Sequence, residues 1–352
     1  MSSSTWLAHD RIENSYVAIK ILNGYTTDLV QRGLVWEHVA LQRVSSPTSS
    51  PYCLQLLSSF RLSGKGSAGE HLCLVTQVFD GDVKSLFLAH SKDNKVFPLS
   101  LAKRILLHTL RGIAHAHSCG VVHTDLKHDN IFFDCRMSTH DFDELLASDP
   151  SRRHPPEASQ DGIVQSAVSQ PLPLPSLQEA MQRTFALGDF GSAQPIDKHT
   201  VDHITAVHLR PPEIIIGGPW NETVDIWTFG CLVFEIVTGR GLFKYEPYLK
   251  YRLNDTSNLL YQMICYTGED FSEEQLRIGA QAAEFFDTTC NLRENPTLYN
   301  YSFEICIRSY KVIEEADVLS TARLMRRCLR LDPAERASAV ELLSDPWFNG
   351  VD

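Results

Sequence analysis

Apolar and β-branched residues are concentrated in two short runs near the start of the chain. Residues 16–22 read Tyr-Val-Ala-Ile-Lys-Ile-Leu and predict a strand, because β-branched side chains pack well on a pleated surface. A second predicted strand covers residues 71–79, and Asp80-Gly-Asp82 is expected to end it as a turn. Between the two strands, residues 26–43 carry apolar side chains at helical spacing, which predicts a helix.

The later part of the chain has mainly helical periodicity. Residues 99–118 place leucine and isoleucine three and four positions apart, and Cys119-Gly120 supplies the glycine that commonly ends a helix. Residues 225–345 are expected to be mostly helical, and the closing run 331–343 has a helix start followed by helical spacing. Strands therefore come first and helices later. This order predicts an α+β protein with a small β-rich lobe (residues 1–79) joined to a large α-helical lobe (residues 80–352).

A Pro/Ser-rich segment interrupts the second lobe at residues 134–184. It contains Asp149-Pro-Ser, His154-Pro-Pro and the run Ser169-Gln-Pro-Leu-Pro-Leu-Pro175. Proline fixes its own φ and lacks an amide hydrogen, so the segment cannot be regular helix or strand throughout. We interpret it as an insert between two structured parts, with one short helix predicted at residues 141–147.

Composition narrows the functional classes. The chain has 43 acidic and 32 basic residues and a formal net charge of −11, which disfavours a nucleic-acid-binding protein. A basic partner is compatible with this charge, although a solvated acidic surface explains it as well. The nine cysteines show no C-x-x-C spacing, the first residues lack an apolar signal core, and residues 226–237 are too short and polar to span a bilayer. We expect an intracellular protein that is not bound to membranes.

Three short motifs follow one another in an informative order. They are Val17-Ala-Ile-Lys20 on the first predicted strand, His123-Thr-Asp-Leu-Lys-His-Asp-Asn130 after the predicted helix, and Leu187-Gly-Asp-Phe-Gly191. Each motif alone is a moderate signal, and a lone strand lysine usually has a solvated amine. The order of the three, with a strand and a helix between them, indicates phosphoryl transfer.

Phosphoryl transfer depends on positioning and on charge stabilisation. Lys20 would bridge the α- and β-phosphates of ATP and needs an anion to hold it, for which Glu37 is the candidate. Glu37 could instead be an exposed helix residue. Asp125 would accept or orient the proton of the substrate hydroxyl, and Lys127 would neutralise the transferring group.

The same motifs contain oxygen ligands suited to magnesium. Asn130 and Asp189 carry amide and carboxylate oxygens, which Mg²⁺ prefers. Asp125 and Asn130 are also common turn residues. That alternative becomes weak once the whole set is present, so the residues predict an ATP- and Mg²⁺-dependent site.

At these motifs the chain resembles the eukaryotic protein kinase superfamily. Arg210-Pro-Pro-Glu213 is similar to the A-P-E motif, Asp225-Ile-Trp-Thr-Phe-Gly230 is similar to the D-x-W-x-x-G helix start, and Arg336 stands where family members pair an arginine with that glutamate. The resemblance covers residues 4–348 apart from the insert. It implies the two-lobed protein kinase fold, with ATP as the phosphoryl donor. The adenine would lie against the hinge, which the resemblance assigns to the following residues: the gatekeeper-like Thr76, then Gln77, Val78 and Phe79.

Within that superfamily the chain looks most like the SR-protein kinases, as a divergent member of fungal type. The residues that carry this resemblance are His123-Thr-Asp125, Trp6-Leu-Ala-His-Asp10 and Leu209-Arg-Pro-Pro-Glu-Ile-Ile-Ile-Gly217, the last shared with the broader CMGC group. The resemblance implies a cytoplasmic or nuclear monomer that phosphorylates Ser/Arg-rich or other basic proteins. Lys127 fits serine/threonine rather than tyrosine kinases.

The chain departs from the family pattern before the first predicted strand. No glycine occurs before Gly24, so we expect that the first strand and the glycine-rich loop over the ATP phosphates are missing. Backbone amides of that loop normally cradle phosphates, so weak ATP affinity is also expected. An incomplete coding sequence and a genuinely truncated kinase both remain open.

Two other functions compete with an active protein kinase. A pseudokinase could use the large lobe as a binding scaffold, and a test of nucleotide binding with Mg²⁺ separates this hypothesis from the first. A small-molecule kinase could share the catalytic motifs. It would generally lack the large-lobe framework indicated by residues 210–213 and 225–230.

Overall fold

A computed structural model describes residues 3–66, 68–90, 96–159 and 162–352 of the chain. The strands, in chain order, are β1 (Ser3–Asp10), β2 (Ser15–Leu22), β3 (Leu56–Ser63), β4 (Glu70–Thr76), β5 (Phe79–Asp82), β6 (Val121–Val122), β7 (Ile131–Asp134), β8 (Glu157–Ser159), β9 (Gly162–Val164), β10 (Phe185–Leu187) and β11 (Gln194–Pro195). The α-helices are α1 (Gly24–Gln31), α2 (Glu37–Ser45), α3 (Val83–His90), α4 (Leu99–Ser118), α5 (Thr139–Ser148), α6 (Leu177–Ala180), α7 (Pro212–Ile215), α8 (Thr223–Thr238), α9 (Asp255–Thr267), α10 (Glu273–Ile278), α11 (Ala282–Phe285), α12 (Phe303–Arg308), α13 (Glu315–Cys328) and α14 (Ala339–Leu342). Single 3₁₀ turns occur at His128–Asn130, Phe190–Ser192, Val207–Leu209, Leu249–Tyr251, Pro333–Glu335 and Pro346–Phe348.

A four-stranded antiparallel sheet forms the N-terminal lobe. Its strand order is β1-β2-β4-β3, so β1 lies at an edge and β2, the strand predicted at residues 16–22, lies inside. Val17 and Leu22 of β2 are buried, as are Leu72 to Val75 of β4, because the inner strands pack against the helices. The sheet therefore holds Lys20 on an inner strand.

The prediction of one continuous helix over residues 26–43 is wrong. The structure has two helices, α1 and α2, separated by residues 32–36. Gly33 adopts a left-handed backbone with φ of 71°, and the amides of Leu34 and Val35 both bond back to the carbonyl of Leu29. Glycine takes up this conformation at little cost and so ends α1. The break lets α2 begin at Glu37 with its own direction.

A buried helix organises the C-terminal lobe. Every residue of α8 from Val224 to Thr238 is buried, and α4 and α13 pack against it. The predicted helix at residues 99–118 is confirmed as α4, and Gly120 follows it with φ of 72°. A helix that is apolar on every side must lie inside the protein. The catalytic motifs are therefore attached to an internal scaffold.

The turn predicted at Asp80-Gly-Asp82 is also wrong. These residues belong to β5, which pairs with β7 in a small sheet of order β10-β7-β5. The register shifts between Phe79 and Gly81, and a side chain at position 81 would meet the Phe133 ring at about 3.1 Å. The glycine thus permits a close approach within a sheet instead of marking a turn.

The insert is only partly regular. The helix predicted at residues 141–147 is confirmed as α5, which starts with a capping box between Ser138 and Asp141. A short β8–β9 hairpin and α6 follow. The closing run 331–343 is less regular than predicted, because the 3₁₀ turn at Pro333–Glu335 is separated from the short α14 by extended backbone at Arg336.

A buried ion pair joins α7 to the segment just before α14 in the C-terminal lobe. Arg336 donates from Nη1 to Glu213 Oε1 at 2.7 Å and from Nη2 to Glu213 Oε2 at 2.6 Å. Neither side chain is more than 5% exposed. The pairing expected from the sequence is therefore confirmed.

In the described part of the chain, no helix combines the length and the apolar character needed to cross a bilayer.

Breaking this ion pair on one side should destabilise the fold. We expect Arg336→Met to lower the free energy of unfolding by about 3–5 kcal/mol, because it leaves the Glu213 carboxylate buried without a counter-charge. Urea unfolding followed by circular dichroism measures the change. The exposed Arg277, which pairs with Glu274 on α10, offers the control Arg277→Met, which should have little effect. Equal losses in the two variants would contradict the structural role of the pair.

Candidate active site

The catalytic loop, residues 123–130, is anchored to α8 by one buried carboxylate. Asp225, near the start of α8, accepts a hydrogen bond from the His123 amide at 2.8 Å and one from the Thr124 amide at 2.9 Å. His117 lies 2.9 Å from the same carboxylate. Burial alone would raise the pKa of Asp225, but hydrogen bonding to His117, the nearby histidines and the His123 amide outweigh it and lower the pKa. Asp225 therefore stays ionised and fixes the loop.

The loop has a strained bend at Thr124. This residue has φ of 63°, a conformation that β-branched residues rarely adopt. Two hydrogen bonds hold it there: the Thr124 backbone N–H donates to the Asp225 carboxylate, and Thr124 Oγ1 donates to the Ser192 carbonyl at 2.7 Å. This strained residue directly precedes Asp125 in the chain.

Asp125, Lys127 and Asn130 form one polar cluster. Lys127 Nζ lies 2.7 Å from Asp125 Oδ2, and Asn130 Nδ2 donates to the Asp125 carbonyl at 2.8 Å and to Oδ2 at 3.1 Å. The Asp125 side chain is 21% exposed, so a substrate can reach it. Asn130 uses its amide nitrogen within the cluster, which makes its side-chain oxygen the atom suited to a cation.

The Asp-Phe-Gly segment is attached to the same loop. His123 Nε2 lies 2.8 Å from the Gly188 carbonyl, and the His123 ring packs edge-on against the buried Phe190 at 5.1 Å. Asp189 follows with a left-handed backbone, φ 52°. A side chain at Gly191 would lie about 3.2 Å from Asp189 Oδ1, so the glycine keeps the space beside that carboxylate open.

Lys20 connects the N-terminal sheet to this segment. Its ammonium lies 2.5 Å from Glu37 Oε1 and 2.9 Å from Asp189 Oδ1, although 17 and 169 positions separate the residues along the chain. Burial would lower the pKa of Lys20, but the two carboxylates outweigh this effect and raise it. For Asp189, burial would raise the pKa, and the Lys20 ammonium outweighs it and lowers the pKa. All three groups meet at one point, with Lys20 protonated.

The four residues of the predicted hinge lie apart from these contacts. Thr76 is the last residue of β4 and pairs with Ala18, two residues from Lys20 on the neighbouring strand. Gln77 accepts a hydrogen bond from the Gln55 amide at 2.9 Å, while Val78 and Phe79 are half-buried. Their contact with adenine stays a prediction.

A scan against protein-family models matches the "Protein kinase domain" family over residues 1–158 and 176–348. The chain belongs to the protein kinase family. It is similar to the serine/threonine-protein kinase SRPK of Physarum polycephalum, with 27% identity over 368 residues that cover 99% of this chain and 83% of the relative. It is also similar to the dual specificity protein kinase lkh1 of Schizosaccharomyces pombe (26%, covering 86% of this chain and 39% of the relative) and to the serine/threonine-protein kinase SKY1 of Saccharomyces cerevisiae (30%, covering 46% and 21%).

Sequence reasoning missed how this kinase holds its activation segment, residues 189–213. Gln194 Oε1 accepts hydrogen bonds from the amides of Thr200 at 2.7 Å and Val201 at 3.2 Å, and Gln194 Nε2 donates to the Val201 carbonyl at 2.8 Å. No sequence motif indicated Gln194, because a buried side-chain amide that hydrogen-bonds to the backbone of a loop follows no recognisable residue spacing. Its side chain closes the first half of the segment.

The segment also packs against the chain that follows it. His199 stacks on Trp220 with ring centroids 3.4 Å apart, and Trp220 Nε1 donates to Asp202 Oδ1 at 3.1 Å. Arg210 donates to the carbonyls of Ile204 and Thr205 at 3.2 and 3.3 Å. The guanidinium is therefore engaged with the backbone of the segment itself.

The contact between Lys20 and Glu37 gives a quantitative test of this site. Glu37→Gln keeps the shape but removes the charge that holds the ammonium, so kcat/KM for ATP should fall roughly ten- to a hundredfold, as for a lost charge-assisted hydrogen bond. Steady-state kinetics at varied ATP measure it. Glu70→Gln, which disturbs only an exposed pair with Arg61, is the matched control. Equal kinetics for both variants would contradict the proposed pairing.

Proposed function

We propose that the chain is an ATP-dependent serine/threonine protein kinase that phosphorylates Ser/Arg-rich or other basic protein substrates. The observation that carries the proposal is the convergence of two clusters. The first cluster contains Lys20, Glu37 and Asp189. The second contains Asp125, Lys127 and Asn130. His123 connects them, because it belongs to the same loop as the second cluster and its ring bonds to the carbonyl of Gly188, next to Asp189. This arrangement matches the needs of phosphoryl transfer, in which positioned charges stabilise the transferring group.

Asp125 is proposed as the group that orients the substrate hydroxyl and takes its proton. Asn130 holds the side chain, and Lys127 beside it would counter the charge that develops on the phosphoryl oxygens. Lys20 would contact the phosphates of ATP. Glu37 keeps that ammonium extended from β2, since its carboxylate is only 3% exposed and pairs with Lys20.

The residues present fit a magnesium ion. Within the described residues there is no group of three or more His, Cys, Asp or Glu side chains placed to hold a metal. Mg²⁺ is commonly bound by one or two protein ligands together with substrate phosphates, which Asp189 and Asn130 would supply beside ATP. The open space at Gly191 agrees with a ligand beside Asp189. When bound, the ion neutralises charge on the phosphates.

The hinge and the lobe boundary belong to the same proposal. Thr76 closes β4 directly beside the Lys20 strand, and the two residues after it lie outside any strand before β5 begins. Backbone groups of Gln77, Val78 and Phe79 would contact the adenine. We place the boundary between the lobes at residues 79 and 80, where this connection ends.

The substrate class rests on charge and on the names of relatives. The chain has a net charge of −11, which favours a basic substrate over an acidic one. The relative named SRPK matches nearly all of this chain, and the relative named SKY1 matches part of it. Together these observations favour Ser/Arg-rich proteins as substrates. A monomeric enzyme that acts in the cytoplasm or nucleus is part of the same proposal.

Removing the Asp125 carboxylate is the direct test of the proposed function. Asp125→Asn should lower the rate of phosphoryl transfer to an Arg-Ser repeat peptide about 10²- to 10⁴-fold, the usual contribution of a positioned general base. Transfer of labelled phosphoryl from Mg²⁺·ATP measures it. Asp129→Asn, four residues away in the same loop and paired with Lys84, is the control and should stay active.

Peptide variants complete that experiment. We expect the wild-type chain to phosphorylate an Arg-Ser peptide faster than the same peptide with tyrosine for serine, and faster than the same peptide with glutamate for arginine. A wild-type rate in Asp125→Asn, or no transfer by the wild-type chain at saturating Mg²⁺·ATP, would overturn the proposed function.

Activity should not require phosphorylation of the activation segment. Thr124 occupies the place of the arginine that receives a phosphate in many kinases, and the Gln194 clip already closes the segment. Phosphatase treatment and the double variant Thr200→Ala, Thr205→Ala should therefore leave the rate within about threefold. Gln194→Ala should reduce the rate more, because three hydrogen bonds between neutral groups are lost. A large loss in the first two cases would show that phosphorylation is needed.

A further inference from the structure

Helix α5 belongs to the insert but contacts the N-terminal lobe. It lies between Asn130 and Asp189 in the sequence, yet the Tyr16 hydroxyl of β2 donates to Asp143 Oδ1 at 2.7 Å. Thr139 Oγ1 donates to the carbonyl of Asn14 at 3.2 Å. Both contacts reach the turn between β1 and β2 and the start of β2. The insert therefore crosses from one lobe to the other.

An aromatic contact reinforces these hydrogen bonds. Phe142 is the one residue of α5 that is buried in the described structure, with 4% exposure, while its neighbours Asp141 and Asp143 are exposed. The Phe142 and Tyr16 ring centroids are 4.7 Å apart, and the Tyr16 ring is 5.0 Å from His9 on β1. Offset aromatic pairs at such distances attract beyond their buried area. These tilted ring contacts join α5 to the inner strand β2 and, through Tyr16, to the edge strand β1.

The helix is locally well formed, so it can serve as a rigid part. Ser138 accepts from the Asp141 amide, and the Asp141 carboxylate accepts from the Ser138 amide at 2.7 Å. Such a capping box satisfies backbone donors at the helix start and fixes the direction in which the chain enters. The same turn of helix that is capped carries Thr139 and Phe142.

The contacts have a direct path to the candidate active site at both ends. Tyr16 lies four residues before Lys20 on the inner strand β2. On the other side, α5 starts five residues after Asp134, the end of β7, and β7 begins directly after Asn130. Movement of the sheet away from the catalytic loop would break the Tyr16–Asp143 bond and expose Phe142.

We propose that Asn14, Tyr16, Thr139, Phe142 and Asp143 form an interlobe clasp that holds the Lys20 strand over the catalytic loop. Tyr16 and Phe142 are then positioning residues for ATP, acting through Lys20 without touching the nucleotide. This inference rests on the proposed kinase function. The clasp favours the closed arrangement of the lobes. It adds to the other contacts between them, which include the Lys20–Asp189 ion pair and the backbone hydrogen bonds of Leu187 with Tyr52 and Leu54.

Kinetics of clasp variants test this role. Phe142→Ala should raise the KM for ATP at least about fivefold and leave the KM for an Arg-Ser peptide within about twofold, because only nucleotide positioning is affected. Tyr16→Phe, which keeps the ring but loses the hydroxyl, should raise it about two- to threefold. Phe142→Leu, which keeps most of the buried side chain, should bring the KM for ATP back close to the wild-type value. Glu144→Gln, next to Asp143 and paired with His140 on the same helix, should match wild type.

Amide hydrogen exchange decides the clasp independently of activity. In Phe142→Ala, residues 9–17 and the catalytic loop 123–130 should exchange faster than in Glu144→Gln, since local opening governs exchange. Unchanged exchange in either region, or equal changes in kcat and in both KM values, would overturn the clasp. If the wild-type chain transfers no phosphoryl group, the proposed function fails, and the exchange result alone then supports or overturns the clasp.

Discussion

The contact on which the rest of the site depends is the carboxylate of Asp225 beneath the catalytic loop. Asp225 belongs to a helix that is buried along nearly its whole length. Its carboxylate accepts hydrogen bonds from two consecutive backbone amides, those of His123 and Thr124. A charge in such a place is tolerated only when hydrogen bonds replace its hydration. Those same bonds offset the strain of the left-handed Thr124, which costs about 1–3 kcal/mol. Fixing one bend thereby fixes the direction of Asp125.

From that bend, hydrogen bonds extend to the other parts of the site. His123 bonds to Gly188 and so places Asp189, and Asp189 pairs with Lys20 from the opposite lobe. The activation segment is attached through Thr124, whose hydroxyl bonds to Ser192. A site assembled in this way needs each lobe at the correct distance. The hinge connection and the contacts of α5 with β2 both limit that distance.

The sequence predicted the parts of this fold that have a local signal. The strand with Lys20, the helix at 99–118 and the helix in the insert were found because periodicity and capping residues mark them. The predictions made from the sequence were wrong at Gly33 and Gly81. Gly33 ends a helix through its left-handed backbone, whereas Gly81 makes room for the Phe133 ring within a sheet, and the sequence does not distinguish these two uses of glycine. The roles of Gln194 and Phe142 were missed for a related reason. Each acts through one contact with a distant segment, and no spacing in the chain records such a contact.

The most direct test of this account measures residue-resolved amide exchange and phosphoryl transfer together in Asp225→Asn. The amide variant keeps one acceptor oxygen but loses the charge, so exchange at His123 and Thr124 should quicken by about tenfold or more, and transfer should fall by a similar factor. Asp255→Asn, in the first turn of the neighbouring α9, is the control and should change neither. Protected amides with normal transfer in Asp225→Asn would contradict the claim that this carboxylate holds the site together.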